Sequence, residues 1–467
     1  MKEMTQQQKE QKIQKLQNEL DRLNRKQLKP MVGRYLIIML IMVTLNFCID
    51  IFGSNIHGIM KADALNNLLS GVSKDKGFQI YENTTLIFGA LSMLILPFYK
   101  SLTDRYGRKP FLILNTLITA AGMGIMMFSN HLIVYIIGFV ISSIGYQGDV
   151  HQIFILESAP DHLRARFASA TKAISVLSSS LLGVFKLAFQ SEAVPQSWRN
   201  VFIVPVIAGL TVGILSCFLT QETEKFTENR KSALKQEIQS LAGQTVETEE
   251  KRSTMSFRET LVFIFKHRQS RMLFFSACLF CGAMAYVKPY SLILEGSTEQ
   301  DAVAVVSIIY PFIEGLFSLI GGVIADKLGR KISVVANGIL FIVAYVFFIV
   351  GFKMGLPIVL IAIAYGLVCG GYWAGRDILG TTMISESVPT QSRATIVGIF
   401  VMITSACSEV SGAILSNIPA LLHFDLSYTY LVGCSLLMAG ALLIAVIGVG
   451  ETKNNSLDTV TGAEFDR

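Results

Sequence analysis

Ten ionisable side chains lie inside long apolar stretches of this chain of 467 residues. A charge near the middle of a bilayer costs about 2.5–3.5 kcal/mol on insertion scales, so such residues usually line pathways for ions or substrates. Carboxylates and histidine can carry protons, and cations can bind carboxylate or phosphate groups. The ten are Asp50, Asp149, His151, Lys172, Lys186, Lys288, Glu314, Arg376, Asp377 and Glu409.

Three of these residues are the candidates for proton binding. Asp50 lies in the apolar run FCIDIFGS. At about 1.5 Å per helical residue it lies some 25 Å along the first apolar stretch, which places it in the outer half. Asp149 is the rival site, with His151 close by. Residues two apart do not share a helix face, so Asp149 and His151 are not automatically a pair.

Arg376 leads the candidates for binding a solute. Its planar guanidinium suits bidentate capture of a carboxylate or phosphate, and Tyr372 lies one helical turn away on the same face. The alternative is a permanent ion pair between Arg376 and an acid such as Asp149 or Glu409. The amine of Lys172, near the end of its stretch, is expected to extend toward the membrane surface. The wider set of solute-binding candidates adds Lys288, Tyr286, Tyr290, Asp377, Glu409 and Glu314.

Two sequence motifs occur twice, in the same order and at nearly the same distance. DRYGRK begins at Asp104 and returns as DKLGRK at Asp326, and ESAPDHLRA begins at Glu157 and returns as ESVPTQSRA at Glu386. This pattern indicates a tandem duplication. Internal repeats of whole membrane halves are typical of secondary transporters.

Composition places the motifs at the ends of membrane helices. Hydrophobic residues make up 52% and charged residues 16% of the chain, against about 25% charged in soluble domains. Backbone groups in lipid must be paired within the segment, which requires helices. The predicted fold is therefore an all-α membrane protein with twelve transmembrane helices in two pseudo-symmetric six-helix bundles. The predicted spans are 33–54, 83–101, 110–129, 131–156, 167–189, 200–220, 272–295, 302–325, 332–352, 356–385, 394–418 and 428–450.

Lysine and arginine predict the orientation. They concentrate in the amino-terminal tail and after the even-numbered spans, whereas 295–301 and 419–427 contain none, so both termini are expected in the cytoplasm. This bias accounts for the net charge of +6, and no nucleic-acid partner is expected. The predicted domains are a cytoplasmic tail 1–31, bundles 32–221 and 271–452, a cytoplasmic linker 222–270 and a carboxy-terminal tail 453–467.

Two polar segments lie outside the predicted spans. Segment 55–82 is interpreted as the longest external loop. The amino-terminal tail carries an apolar stripe whose spacing suits a short coiled-coil seam, but it covers only two heptads. A solvated or membrane-surface helix is the preferred interpretation of the tail. The stripe consists of Ile13, Leu16, Leu20 and Leu23.

With these motifs the chain resembles the major facilitator superfamily, in particular its sugar-porter-like branch, over about residues 33–456. Further matching features are Trp198-Arg199 before span six, Glu222 after it, and the ending ETKNNSL at 451–457. The resemblance implies a secondary active transporter that works by alternating access and is not an enzyme. We expect no cofactor and no metal, a small-molecule substrate with protons, and a monomer in the plasma (inner) membrane bilayer.

The resemblance also implies a cytoplasmic gate of ion pairs between the halves. Arg108 would pair with Glu386, and Arg330 with Glu157, when the cavity faces outward. The predicted gate residues are Asp104, Arg105, Gly107, Arg108, Lys109, Glu157, Arg164, Glu222, Asp326, Gly329, Arg330, Lys331, Glu386, Arg393 and Glu451.

Departures from the family pattern shape the functional hypothesis. FCIDIFGS is similar to the line that carries the proton-binding Asp of proton-coupled sugar porters, which favours Asp50. Ile137 replaces the usual Arg of span four, so Lys288, Lys186 or Arg376 would have to partner Asp50. Span seven reads CGAMAYVK and lacks the Gln and Asn that hold sugar hydroxyls. The predicted function is proton-coupled symport of a small organic solute, with an anion favoured. The alternatives are a facilitator or exporter of sugars or amphipathic compounds, and a non-transporting membrane sensor with this fold.

Overall fold

The computed structural model describes residues 6–25, 33–147, 150–158, 164–191, 193–241, 257–294, 301–388, 393–417 and 426–452. Helices correspond to all twelve predicted spans, which confirms the predicted fold class. Spans 1 to 6 are Gly33–Leu68, Lys74–Tyr106, Arg108–Met127, Leu132–Tyr146 with Val150–Ser158, Arg164–Ser178 with Ser180–Phe189, and Ser197–Phe202 with Ile203–Leu219. Spans 7 to 12 are Arg268–Val287 with Tyr290–Leu294, Ala302–Leu328, Arg330–Lys353, Ile358–Asp377 with Ile378–Met383 and Ile384–Glu386, Arg393–Ser416, and Leu426–Gly448.

The outer faces of these helices are apolar, as lipid requires. Phe218 is 80% exposed and Leu436 is 68% exposed. Exposed large apolar side chains on this scale mark a surface that is not meant for water. Within the described residues, eight helices are long and apolar enough to cross a membrane, and two more, Leu132–Tyr146 and Ala302–Phe317, are apolar but shorter.

The first two helices extend well beyond the predicted spans. Span 1 continues to Leu68 and span 2 begins at Lys74, so segment 55–82 is not the predicted external loop. Ile56, Ile59 and Leu65 are buried in the core. These apolar residues recur at the three- to four-residue spacing of a buried helix face, which is why the segment is helical. Asp50 consequently lies midway along a long helix and not in the outer half of a short one.

Small residues bring helices of the first half into backbone contact. A Cβ atom on Gly122 of span 3 would lie 2.3 Å from the backbone nitrogen of Ser142 and 2.6 Å from the carbonyl oxygen of Gly138, both in span 4. Such close contacts stabilise membrane helices by van der Waals packing, because the hydrophobic effect does not drive helices together within lipid.

We call the end of the bundles with the duplicated motifs the motif end, and the opposite end the far end.

The amino-terminal helix Gln6–Arg25 packs against the linker helix Glu224–Leu241. Lys12 Nζ lies 2.8 Å from Glu237 Oε1, and Arg230 Nη2 lies 2.7 Å from Glu19 Oε1. The crossed order of these pairs makes the two helices antiparallel. The tail therefore forms a helix that packs on the linker helix, a contact that the sequence analysis did not predict, and its stripe residues Ile13, Leu16, Leu20 and Leu23 are partly buried.

Candidate functional site

The motif end of the first half is built around two carboxylates. Glu222 accepts hydrogen bonds from the backbone N–H groups of Arg108, at 2.9 Å, and Lys109, at 3.3 Å, at the start of span 3. A carboxylate is stable there because the first N–H groups of a helix have no partner within the helix. Glu157 Oε1 accepts from the Arg108 guanidinium at 3.3 Å, and its other oxygen accepts from the Thr223 hydroxyl at 2.5 Å.

The second half repeats this arrangement with different residues. Glu451 accepts from the backbone N–H groups of Arg330, at 2.9 Å, and Lys331, at 3.1 Å. Glu386 accepts from the Arg330 guanidinium at 3.2–3.3 Å and from the Thr452 hydroxyl at 2.6 Å. The duplicated motifs therefore encode duplicated geometry.

Glycine is required in both turns. Gly107 has φ 114° and Gly329 has φ 103°, a region that side chains rarely adopt. A Cβ atom on Gly107 would also lie 2.2 Å from Glu222 Oε2, and one on Gly329 would lie 2.7 Å from Glu451 Oε2. Each glycine lets the capping carboxylate approach the turn.

The described ion pairs of the two gate arginines lie within halves, so the pairing between halves, which was predicted for a cavity that faces outward, stays a prediction. Arg108 pairs with Glu157 of its own half, and Arg330 pairs with Glu386 of its own half. Sequence positions alone could not distinguish the two pairings, because Glu157 and Glu386 begin two copies of the same motif. The side chains of the predicted gate residues Asp104, Arg105, Arg164, Asp326 and Arg393 lie outside the described part of the structure.

Asp50 forms the central polar contact of the first half. Its Oδ2 lies 3.0 Å from His151 Nδ1, and the two side chains are only 6% and 2% exposed. The imidazole of His151 stacks on the ring of Phe47, with centroids 3.8 Å apart. Two helices that are remote in sequence thus supply a carboxylate and an imidazole in apolar surroundings. Asp149, the rival proton site, lies outside the described residues.

The described contact of Asp50 is with His151 and not with one of the three basic residues predicted as partners. Lys186 Nζ binds Asp63 Oδ2 at 2.6 Å. Lys288 lies 3.9 Å from Glu409 Oε1. The partner is His151, which the sequence analysis had assigned to the rival site because Asp149 is its near neighbour.

A group of charges joins the two halves between the centre and the motif end. Lys172 Nζ of span 5 lies 2.5 Å from Asp377 Oδ2 of span 10, so its amine does not extend toward the membrane surface as predicted. Arg376 Nη1 lies 3.7 Å from Asp377 Oδ1, and its guanidinium lies over the Trp373 ring at 5.1 Å. Glu314 of span 8 lies within electrostatic reach of Lys172 and Asp377. Arg376 is therefore compensated by a carboxylate, and this weakens the argument for an anionic solute.

The tyrosines predicted to line a solute path lie in the packed core of the second half. Tyr286 and Tyr290 are 1% and 3% exposed, and the Tyr290 hydroxyl shares a 2.7 Å hydrogen bond with Ser307. Tyr372 is 3% exposed, and its ring stacks on Phe280 with centroids 5.7 Å apart. This burial contradicts a lining role for Tyr286 and Tyr290 in this conformation.

The far end holds contacts between the halves that the sequence analysis missed. Ser291 Oγ donates to the carbonyl of Gly58 at 2.7 Å, and Asn417 donates to Asn83 at 3.1 Å. Within the first half, Lys61 forms a buried ion pair with Glu82. Gly58, Lys61 and Glu82 were missed because 55–82 was interpreted as a loop, although the apolar periodicity of this segment predicts a helix.

The pairing at the motif end is tested by exchanging charges. Arg108→Glu should lower the free energy of unfolding by about 1–3 kcal/mol, because a hydrogen-bonded, mostly buried pair becomes a repulsion. Adding Glu157→Arg should restore much of the thermal stability, whereas adding Glu386→Arg should not. Rescue by Glu386→Arg alone, measured by thermal unfolding in detergent, would support pairing between halves.

The pair between Lys172 and Asp377 should hold the halves together on the side of the motif end. Asp377→Lys is expected to widen the distance between spin labels at the equivalent exposed positions Tyr106 and Leu328, measured by double electron–electron resonance. The exchanged double variant Lys172→Asp with Asp377→Lys should return the distribution toward that of the unmodified protein. An unchanged distribution in Asp377→Lys would contradict this role.

Known proteins resemble this chain in both sequence and fold. The model of the Major Facilitator Superfamily matches residues 35–408. The chain is 23% identical over 384 residues to the arabinose-proton symporter of Bacillus subtilis (strain 168), covering 77% of this chain and 81% of that protein. It is also similar to a partially occluded inward open conformation of the xylose transporter XylE from E. coli, with TM-score 0.65, 16% identity and coverage of 91% and 100%. A structure of a D-xylose-proton symporter gives TM-score 0.62 at 16% identity, with coverage of 90% and 99%.

Proposed function

Because the chain belongs to the major facilitator superfamily, we propose that it is a proton-coupled symporter of a small, neutral, hydroxyl-rich solute. The proposal puts the motif end and both termini on the cytoplasmic side of the plasma membrane, as the lysine and arginine distribution favours. The observation that carries it is the buried contact between Asp50 and His151.

The Asp50 site has the properties that proton coupling needs. A carboxylate that is 6% exposed is costly to keep charged, and the imidazole beside it is itself buried and stacked on Phe47. The contact joins span 1 to the second helix of span 4. A proton that neutralises Asp50 weakens this contact and therefore favours a different packing of the two helices.

The rest of the structure supplies the alternating movement. Contacts between halves at the far end, such as Ser291 with Gly58, close that side in this conformation. At the motif end, the described ion pairs of Arg108 and Arg330 stay within their halves. The halves can therefore separate at that end without breaking these pairs. Rocking of two rigid bundles about a central site is the usual movement of such folds.

The charges near the centre favour a neutral solute. Lys172 and Arg376 both lie beside the carboxylate of Asp377, so each cation has a partner without a bound anion. Trp373 lies half-buried beside this group and offers an aromatic face. The arabinose named for the bacterial relative is a solute of this class. The expectation of an anion assumed an uncompensated Arg376, and this proposal replaces it.

Asp50→Asn should abolish accumulation driven by a pH gradient and leave exchange across the membrane intact. The amide keeps the size of the side chain but cannot take up a proton. The measurement is uptake of radiolabelled L-arabinose into liposomes that contain the purified protein, with an acidic exterior, compared with counterflow at equal pH. Accumulation that survives in Asp50→Asn would contradict the assignment, and no uptake of arabinose or xylose by the unmodified protein would contradict the solute class.

Arg376→Gln distinguishes a neutral from an anionic solute. Loss of a hydrogen bond to a neutral group costs about 0.5–1.5 kcal/mol, so affinity for arabinose should fall by roughly 2- to 13-fold. Loss of a charge-assisted pair to an anion costs about 2–5 kcal/mol, a fall of roughly 30-fold or more. If L-arabinonate competes with arabinose in the unmodified protein and Arg376→Gln abolishes this competition, the result would contradict a neutral solute and support an anionic one. The matched control is Arg199→Gln, since Arg199 binds the Ser129 carbonyl at the far end.

A further inference from the structure

We propose that one face of span 1 is a proton path from the far end to Asp50, with His57, Tyr135, Ser142 and Thr119 as its members. The inference rests on the proton coupling proposed above and assigns the residues that feed it. Nothing in the duplicated motifs or in the solute-binding candidates points to these residues.

The path follows from the register of two antiparallel helices. Asp50, Gly53 and His57 occupy positions i, i+3 and i+7 of span 1, which lie on one helix face. Their neighbours on span 4 come in the reverse order. His151 contacts Asp50, Ser142 lies beside Gly53, and Tyr135 binds His57.

His57 is held between two hydroxyl groups. Its Nε2 lies 2.6 Å from the Tyr81 hydroxyl, and its Nδ1 lies 3.0 Å from the Tyr135 hydroxyl. The side chain is buried, and Phe139 packs against the ring with centroids 4.2 Å apart. An imidazole that takes a proton at one nitrogen can release one from the other, so this arrangement can pass a proton along span 1.

Charged groups surround His57 on the side of the far end. Lys61, one turn further along span 1, is paired with Glu82 of span 2, and its amine lies 4.3 Å from the centre of the Tyr81 ring. Lys288 of span 7 also acts on His57 electrostatically. On span 4 the groups facing His57 are the neutral Tyr135 and Phe139. The acids near the outer end of the path are Glu82, which pairs with Lys61, and Asp63, which acts electrostatically on Tyr135.

Two buried residues that carry hydroxyl groups, Ser142 and Thr119, lie against Gly53 in the interval between His57 and Asp50. Ser142 Oγ and Thr119 Oγ1 are fully buried and have no hydrogen-bond partner among the described residues. A Cβ atom on Gly53 would lie 3.0 Å from Ser142 Oγ, so the serine hydroxyl faces span 1 where span 1 has no side chain. Thr119 presents its methyl group to Gly53, and its hydroxyl lies beside Gly145 of span 4. Buried hydroxyls without partners are costly, and valine or alanine would fit here at lower cost. Their presence is explained if they bind a water molecule or pass a proton.

The interval has a length that such a relay can cover. Asp50 and His57 are seven residues apart, about 10 Å along the helix axis. Each hydroxyl accepts a proton on its oxygen and releases its own to the next acceptor, so only the O–H and N–H bonds at the two ends differ afterwards. In this conformation the two hydroxyls are not bonded to His57, so the path is interrupted while the far end is closed.

The test follows protonation of Asp50 directly and needs no solute. Protein in lipid films is given a rapid drop in pH, and the carbonyl band of the protonated carboxyl group is recorded by time-resolved infrared spectroscopy. The band that is absent in Asp50→Asn belongs to Asp50. We expect its rate of appearance to fall at least tenfold in His57→Phe and in the double variant Ser142→Ala with Thr119→Val. His131→Phe, at an exposed histidine before span 4, should leave the rate unchanged.

The outcomes separate the path from the coupling itself. If the Asp50 band appears at the unmodified rate in both path variants, protons reach Asp50 by another route and the path is refuted while the coupling stands. If the unmodified protein shows no Asp50 band, both are refuted. His57→Gln keeps hydrogen-bonding capacity without titrating near neutral pH, so an unchanged rate in that variant would show a structural role and refute the path. Should His57→Phe fail to fold, the nearly isosteric serine and threonine variants decide the question.

Discussion

A carboxylate buried in apolar surroundings needs a partner, and the described partner of Asp50 is the imidazole of His151. The contact with His151 requires the middle of span 1 to lie against the second helix of span 4. That register in turn sets Gly53 beside Ser142 and His57 beside Tyr135. The need to pair the buried carboxylate of Asp50 therefore goes together with the positions of the polar residues along the contact between spans 1 and 4.

The two halves meet the same constraint in different ways. The first half pairs its buried groups internally, as Asp50 does with His151 and Lys61 with Glu82. The second half contributes Asp377, whose closest cation is Lys172 of the other half. When the two halves of a transporter rock, ion pairs between the halves must break or strain, whereas ion pairs within one half can be preserved.

The motif ends show how duplicated sequence gives duplicated structure while the interior diverges. Glu222 and Glu451 cap equivalent helices beside glycines with positive φ, and Thr223 and Thr452 bind equivalent carboxylates. These turns stiffen each half as a unit. At the motif end, Arg108 and Arg330 are equivalent and make equivalent ion pairs. The interior lacks this symmetry, since the pair of Asp50 and His151 has no counterpart among the described residues of the second half.

The sequence by itself determined the number of spans, their helical state, the duplication and the residues of the motif turns. Those follow from local properties, because lipid forces helices on apolar stretches and a turn needs glycine where φ is positive. Only the tertiary structure decided which charges meet. The partner of Asp50, the pairing of Arg108 within its half, the link between Lys172 and Asp377 and the helical course of 55–82 all depend on the register between helices remote in sequence. Register is fixed by packing over many residues, such as the close approach of Gly122 to span 4, and no single motif encodes it.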